Sequence, residues 1–177
     1  MFHSNQEFLD AYGWESECTA RVLGALTDES LSQAKAEGHM NLGEIAWHIA
    51  TAPSYLFNQI ELPMPEFGWG APEGLTAAQI AETYNDQVAK VRANAATVSP
   101  EGLQKVYHVF DMMDWPVWQM FNALIAHEIH HRGQISVLMR QAGLVVPSIY
   151  GPNAEETAVM MQQMAQGGAG PEGAAAG

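Results

Sequence analysis

The sequence predicts an all-α protein: a four-helix bundle with a crossover before the last bundle helix and a short C-terminal helix. Three observations carry this. Apolar residues recur at helical spacing through four long segments. Three of those segments begin with a capping side chain followed three residues later by Glu or Gln. Strand signals are scarce, and a Pro/Gly-rich loop over residues 62–74 separates the second and third periodic segments. At 177 residues the chain suits one domain with a sizeable core. That domain is expected over residues 1–166, followed by a disordered Gly/Ala-rich tail over 167–177, which has nothing to bury.

Ser4-Asn5-Gln6-Glu7 has the form of a capping box, and Phe8, Tyr12, Thr19, Val22, Leu23 and Leu26 give the first helix a core face to about Leu26. Thr27-Asp28-Glu29-Ser30 interrupts it. Asn41-Leu42-Gly43-Glu44 repeats the cap signal, and Leu42, Ile45, Ile49, Ala52 and Leu56 stripe a second helix to about Ile60, with a kink expected at Pro53. Residues 62–74 combine Pro, Gly and two aromatics and read as an ordered surface loop. Thr76 to Gln79 caps a third helix striped by Ile80, Tyr84, Val88, Val91, Ala95 and Val98, and Ser99-Pro100 ends it. Leu103 to Phe110 is rich in β-formers, but one short extended run makes no sheet alone, so it is assigned as a crossover. Asp114-Trp115-Pro116 starts the fourth helix, which runs to about Ala142 with Gly143 at the left-handed C′ position. A short Met-rich fifth helix spans Ala154 to Gln166.

Seven Lys and Arg against 20 Asp and Glu leave a formal charge of −13, which repels nucleic acid and anionic lipid alike. The one cysteine, Cys18, has no internal disulfide partner, no secretory signal opens the sequence, and no run is apolar enough to span a membrane. The expectation is a cytoplasmic protein acting on a small molecule, with neither nucleic acid nor membrane as partner.

Chemistry concentrates in His127-Glu128-Ile129-His130-His131. Residues four apart on a helix differ by about 40° around the axis and about 6 Å along it, so His127 and His131 point the same way. They share the stripe of Met120 and Leu124, which turns them toward the bundle interior. An inward imidazole needs a partner to offset desolvation, and His48 stands on the apolar stripe of the second helix with Ile45, Ile49 and Ala52. Each alone is as readily a core or surface histidine. Three inward histidines from two helices are harder to dismiss, and a His₃ set leaves a coordination position open, the arrangement of catalytic zinc. Imidazole suits Zn, Ni, Cu or Fe.

Two stretches carry a family resemblance: AHEIHHRGQISVLMRQAGL followed by VPSIYGP, and LGEIAWHIA. They resemble the C-terminal and second-helix signatures of the DinB-like superfamily of metal-binding four-helix bundles, over most of residues 1–153. The resemblance implies a divalent metal, Zn or Ni foremost, on His48, His127 and His131. It also implies a homodimer without DNA-binding activity. Characterised relatives include thiol-dependent S-transferases and an isomerase that use a low-molecular-weight thiol activated by the metal. A metal-dependent thiol S-transferase acting on small electrophiles is therefore expected first, and a metal-dependent hydrolase second.

His127-Glu128-x-x-His131 also spells H-E-x-x-H, the zinc-peptidase pattern in which Glu128 is general base. Against that reading, position 134 is Gln where the longer metzincin form has Gly, and no sheet is expected to bind an extended peptide. A non-catalytic, stress-related metal-binding bundle is the rival from another class. Glu44 and Gln134 are one turn from His48 and His131 and are candidates to orient them. Arg132 reads as an interhelical ion-pair partner, Trp47 as core or dimer interface, and Phe67 and Trp69 as possible walls of a substrate pocket. His3, His39, His108 and His130 are left out of the site.

Overall fold

Ser4 lies in extended conformation and its hydroxyl accepts from the Glu7 amide at 3.2 Å, opening α1 (Asn5–Leu23) where the cap signal places it. The Glu7 carboxylate reaches one residue further back than a capping box requires and accepts from the His3 amide at 2.8 Å. These features come from a computed structural model that describes residues 1–34 and 36–166. The expected tail over 167–177 lies outside the described residues.

A 3-10 turn over Asp28–Ser32 forms the interruption after α1. Asn41 and Glu44 cap reciprocally, at 2.9 and 2.7 Å, to start α2 (Leu42–Phe57), and one 3-10 turn carries the chain on to Ile60. Pro53 is buried inside α2, which continues past it. Thr76 and Gln79 cap α3 (Ala77–Ala96). Gly143, with φ +78°, closes α4 (Val117–Gln141) in the left-handed conformation that glycine adopts at little cost. The last helix, α5 (Ala154–Ala165), is capped by Asn153 and Glu156 and buries no residue.

The crossover is where the structure departs from expectation. Val106–Val109 forms β1, which pairs antiparallel with β2 (Met113–Pro116), so Asp114-Trp115-Pro116 is a strand and only Pro116 caps α4. Phe110 and Asp111 turn the hairpin with φ of +58° and +54°. Neither is Gly or Asn, so the turn carried no sequence signal. Tertiary contacts hold it: the Phe110 amide donates to Gln59 Oε1 at 3.1 Å, and its ring stacks on Tyr55 with centroids 5.6 Å apart. Val109 is buried in the bundle core, and Lys105 and Tyr107 both donate to Glu61 at 2.8 Å, which supplies the support an isolated hairpin lacks.

α1 and α2 each pack against both α3 and α4, so the order around the bundle is α1, α3, α2, α4. The core divides into two apolar clusters. One holds Phe8, Phe57, Val91 and Phe121, the other Val22, Ile49, Ile80 and Met139. Between them on the four helices lies a buried polar belt of Ser16, Thr19, Ser54, Gln87, Glu128 and Arg132. The three histidines stand at the level of this belt.

Candidate metal centre

His48 stands on α2 one turn after the Glu44 cap, and its Nε2 lies 3.0 Å from Nε2 of His127 on α4. His131, one turn further along α4, completes the cluster with ring centroids 4.7 Å from His48 and 4.4 Å from His127. One nitrogen from each ring can be chosen so that all lie within 4.8 Å of one another. Two nitrogens bound to one ion at 2.0–2.1 Å stand about 3 Å apart, which the His48–His127 pair already does.

The rings are half-buried at the seam between α2 and α4 rather than in the bundle interior, a correction to the stripe reading. On α4 it is Glu128 and Arg132 that face inward, one position on from each histidine. The difference is one helical step of about 100°, which an apolar stripe of that width does not resolve.

Desolvation lowers the pKa of His48, and the neighbouring His131 lowers it further. Burial and then the charges of His131, His48 and His130 bring His127 down to about 4. Burial lowers His131 as well, against the upward pull of its bond to Gln134. All three are therefore neutral near pH 7, the form that ligates a cation. His131 Nδ1 lies 2.7 Å from Gln134 Oε1, and with the proton on Nδ1 the Nε2 lone pair is free to face the cluster. His127 Nδ1 is buried with no partner among the described residues. Three neutral imidazoles with two nitrogens already at ligand separation fit a divalent ion of the zinc or nickel type.

Of the other residues singled out, Glu44 is spent on the α2 cap, whereas Gln134 orients His131 as its spacing predicts. His130 is exposed and pairs with the Gln134 amide nitrogen at 3.2 Å. His108 bonds Asp114 across the hairpin at 2.8 Å. Cys18 is buried and contacts Arg21 and the Ile149 carbonyl, away from the imidazoles.

Glu128 is fully buried, and its Oε2 accepts from the Tyr84 hydroxyl at 2.8 Å and from Thr19 at 3.2 Å. Burial pushes its carboxyl up to about 7, with the Tyr84 and Thr19 hydroxyls pulling the other way. It thus faces α1 and α3, not the open side of the histidines. Arg132 pairs with Glu15 of α1 at 2.5 Å, donates to Thr19 at 3.0 Å, and bonds the Tyr150 hydroxyl. Sequence reasoning missed Tyr84 as a belt residue, because a tyrosine on an apolar stripe reads as core until its hydroxyl partner is known.

The open side of the cluster is a cavity of about 770 Å³ bounded by α2, the 62–74 loop and the hairpin turn, with His48 and His127 in its wall. Phe67 and Trp69 line it as expected, joined by Trp47, Tyr55 and Phe110.

Comparison with known proteins agrees with this fold. The sequence pattern of the DinB family matches residues 1–167. An uncharacterised protein of Bacillus subtilis, YrdA, is 37% identical over 159 residues, covering 89% of this chain and 95% of its own. The crystal structure of a DinB-like protein from Bacillus cereus superposes with a TM-score of 0.79 at 36% identity, covering 85% of this chain and 100% of that one. A second, the DinB-like protein YjoA of B. subtilis, gives 0.58 at 22% identity, covering 82% and 96%, which speaks for the fold alone.

Proposed function

The chain belongs to the DinB family, and from that premise we propose that it is a divalent-metal-dependent enzyme, a thiol S-transferase acting on small electrophiles. The observation that carries the reading is the 3.0 Å approach of His48 Nε2 to His127 Nε2, with His131 held beside them by Gln134. His48, His127 and His131 would hold the ion, zinc or nickel. When bound, such an ion lowers the pKa of a thiol or water beside it and so supplies a nucleophile near neutral pH.

The chain's own residues do the rest. Burial keeps the imidazoles unprotonated, Gln134 fixes the tautomer of His131, and the aromatic walls of the adjoining cavity offer apolar surface to a small substrate. A low-molecular-weight thiol is the proposed cosubstrate. A homodimer is proposed as well, supported by the apolar surface α5 leaves in solvent at Val159, Met160, Met161 and Met164.

Purified protein should carry close to one zinc or nickel per chain by elemental analysis and transfer a low-molecular-weight thiol to 1-chloro-2,4-dinitrobenzene. EDTA should abolish transfer and added metal restore it, while the helical circular dichroism survives chelation because the two apolar clusters complete the core without the ion. Metal-loaded protein that instead hydrolyses esters or amides without a thiol points to the hydrolase. Helix content that collapses with EDTA points to a structural ion in a non-catalytic bundle. Peptide cleavage has least support, since Glu128 turns away from the cavity.

A further inference from the structure

We propose that the cavity beside the histidines takes a small organic cation with an apolar body, a protonated amine or quaternary ammonium. The proposal rests on reading that cavity as the substrate side of the site.

Its volume, about 770 Å³, falls in the range of small-molecule sites. The walls are arranged rings. Trp47 and Phe67 meet edge to face with centroids 5.7 Å apart, Tyr55 and Trp69 do so at 5.5 Å, and Phe110 stacks on Tyr55. Much of this aromatic surface is in water: Trp69 is 89% exposed, Tyr55 50% and Phe67 38%. Scattered exposed aromatics need no explanation, but here they converge on one cavity wall.

Charge then selects the occupant. The acidic side chains in the wall are Glu44 and Glu66, and no Lys or Arg lines the cavity among the described residues. On the loop side, a carboxylate or phosphate would meet like charge and the negative faces of the rings. A cation meets the opposite sign at both, because an aromatic quadrupole presents its negative face to an ammonium. The excess of 13 negative charges on the whole chain adds a field that draws cations in and turns anions away. Glu66 and Trp69 lie three residues apart in the loop over α2, so the ammonium belongs on that loop side. The remainder of the molecule extends toward His48 and His127, which line the same cavity.

Isothermal titration of the full chain tests this with three probes of similar size: benzyltrimethylammonium, benzyl alcohol and phenylacetate. Benzyltrimethylammonium should bind about 10-fold more tightly than either of the others. Trp69→Ala and Glu66→Gln should each weaken it by about 5-fold, and Trp69→Phe should restore much of the loss. Both side chains are exposed, so folding is unaffected and circular dichroism checks it. Equal or tighter binding of benzyl alcohol or phenylacetate, or unchanged affinity in Trp69→Ala, overturns the proposal. Metal content, measured in the same samples, keeps the two readings apart. Cation binding by a protein that holds no metal sinks the enzyme reading and leaves this one standing, and a metal-loaded protein indifferent to the cation does the reverse.

Discussion

His48 and His127 are 79 residues apart in sequence, yet their Nε2 atoms face each other at 3.0 Å across the α2–α4 seam. Two neutral rings at that distance satisfy each other only if one donates, and the arrangement leaves His127 Nδ1 buried without a partner. A cation held by both rings would instead take a lone pair from each, with neither ring required to donate to the other. Each of His48→Ala, His127→Ala and His131→Ala should therefore weaken zinc or nickel affinity by about 100-fold or more. Gln134→Ala, which frees the His131 ring without deleting it, should cost about 10-fold. Competition against a chromophoric chelator reads both. A His131→Ala variant that holds metal as tightly as the parent would sink the three-histidine set.

Glu128 adjoins His127 in sequence but turns toward α1 and α3. Its Oε2 takes the Tyr84 and Thr19 hydroxyls while Oε1 has no partner, so a glutamine keeps the acceptor and turns its amide into the unpaired direction. Glu128→Gln should change unfolding free energy by no more than about 1 kcal/mol and leave metal content alone. Glu128→Ala, which takes the carboxyl acceptor away from the Tyr84 and Thr19 hydroxyls and opens a cavity, should cost roughly 2–4 kcal/mol. Loss of metal or of turnover in the glutamine variant, with stability kept, would place the carboxyl in the chemistry.

These two residues mark how far the sequence could be read. The caps of α1, α2 and α3 and the Gly143 stop are local signals, set within a few residues, and they fall where the sequence places them. Periodicity finds a helix face to within about one residue, or 100°. It grouped His127 and His131 correctly but not the inward pair Glu128 and Arg132. The hairpin escaped because its turn depends on Gln59 and Tyr55, some 50 residues away, holding Phe110 in a left-handed conformation. The aromatic cavity was half legible. Phe67 and Trp69 stand out in a Pro/Gly loop, but Tyr55 and Phe110 join them only through tertiary packing.

Arg132 is 2% exposed and its partner Glu15 14%, so their ion pair is one that solvent screens little. The same guanidinium bonds Thr19 and Tyr150, tying α1 and the segment after α4 to the polar belt. Arg132→Met keeps most of the volume but leaves the Glu15 carboxylate with only the Tyr150 hydroxyl, and should destabilise by roughly 3–5 kcal/mol. Adding Glu15→Gln should recover part of that loss, because the stranded charge goes with it. Denaturant unfolding of the two single variants and the double closes the cycle. Strict additivity would mean that the pair contributes nothing of its own.

Arg140, in the last turn of α4, grips Glu155 at the start of α5 with two bonds of 2.6 and 2.8 Å. Since α5 buries no residue, this fork is a main tie between it and the bundle. The Arg140 guanidinium, helped by a backbone bond, holds the Glu155 carboxyl down to about 2 from its ordinary 4.5. A carboxyl lowered in the folded state adds stability above its unfolded pKa and loses it as pH falls through the folded one. The tie should be fully present above about pH 5, weaken below it and be lost as pH falls through about 2. Amide chemical shifts of α5 in the parent and in Arg140→Gln should therefore differ at neutral pH and converge as the solution is acidified across that window. Both groups are exposed, so added salt should narrow the difference at neutral pH too. A difference that persists unchanged at pH 2 would mean that Arg140 positions α5 through packing of its stem rather than through its charge.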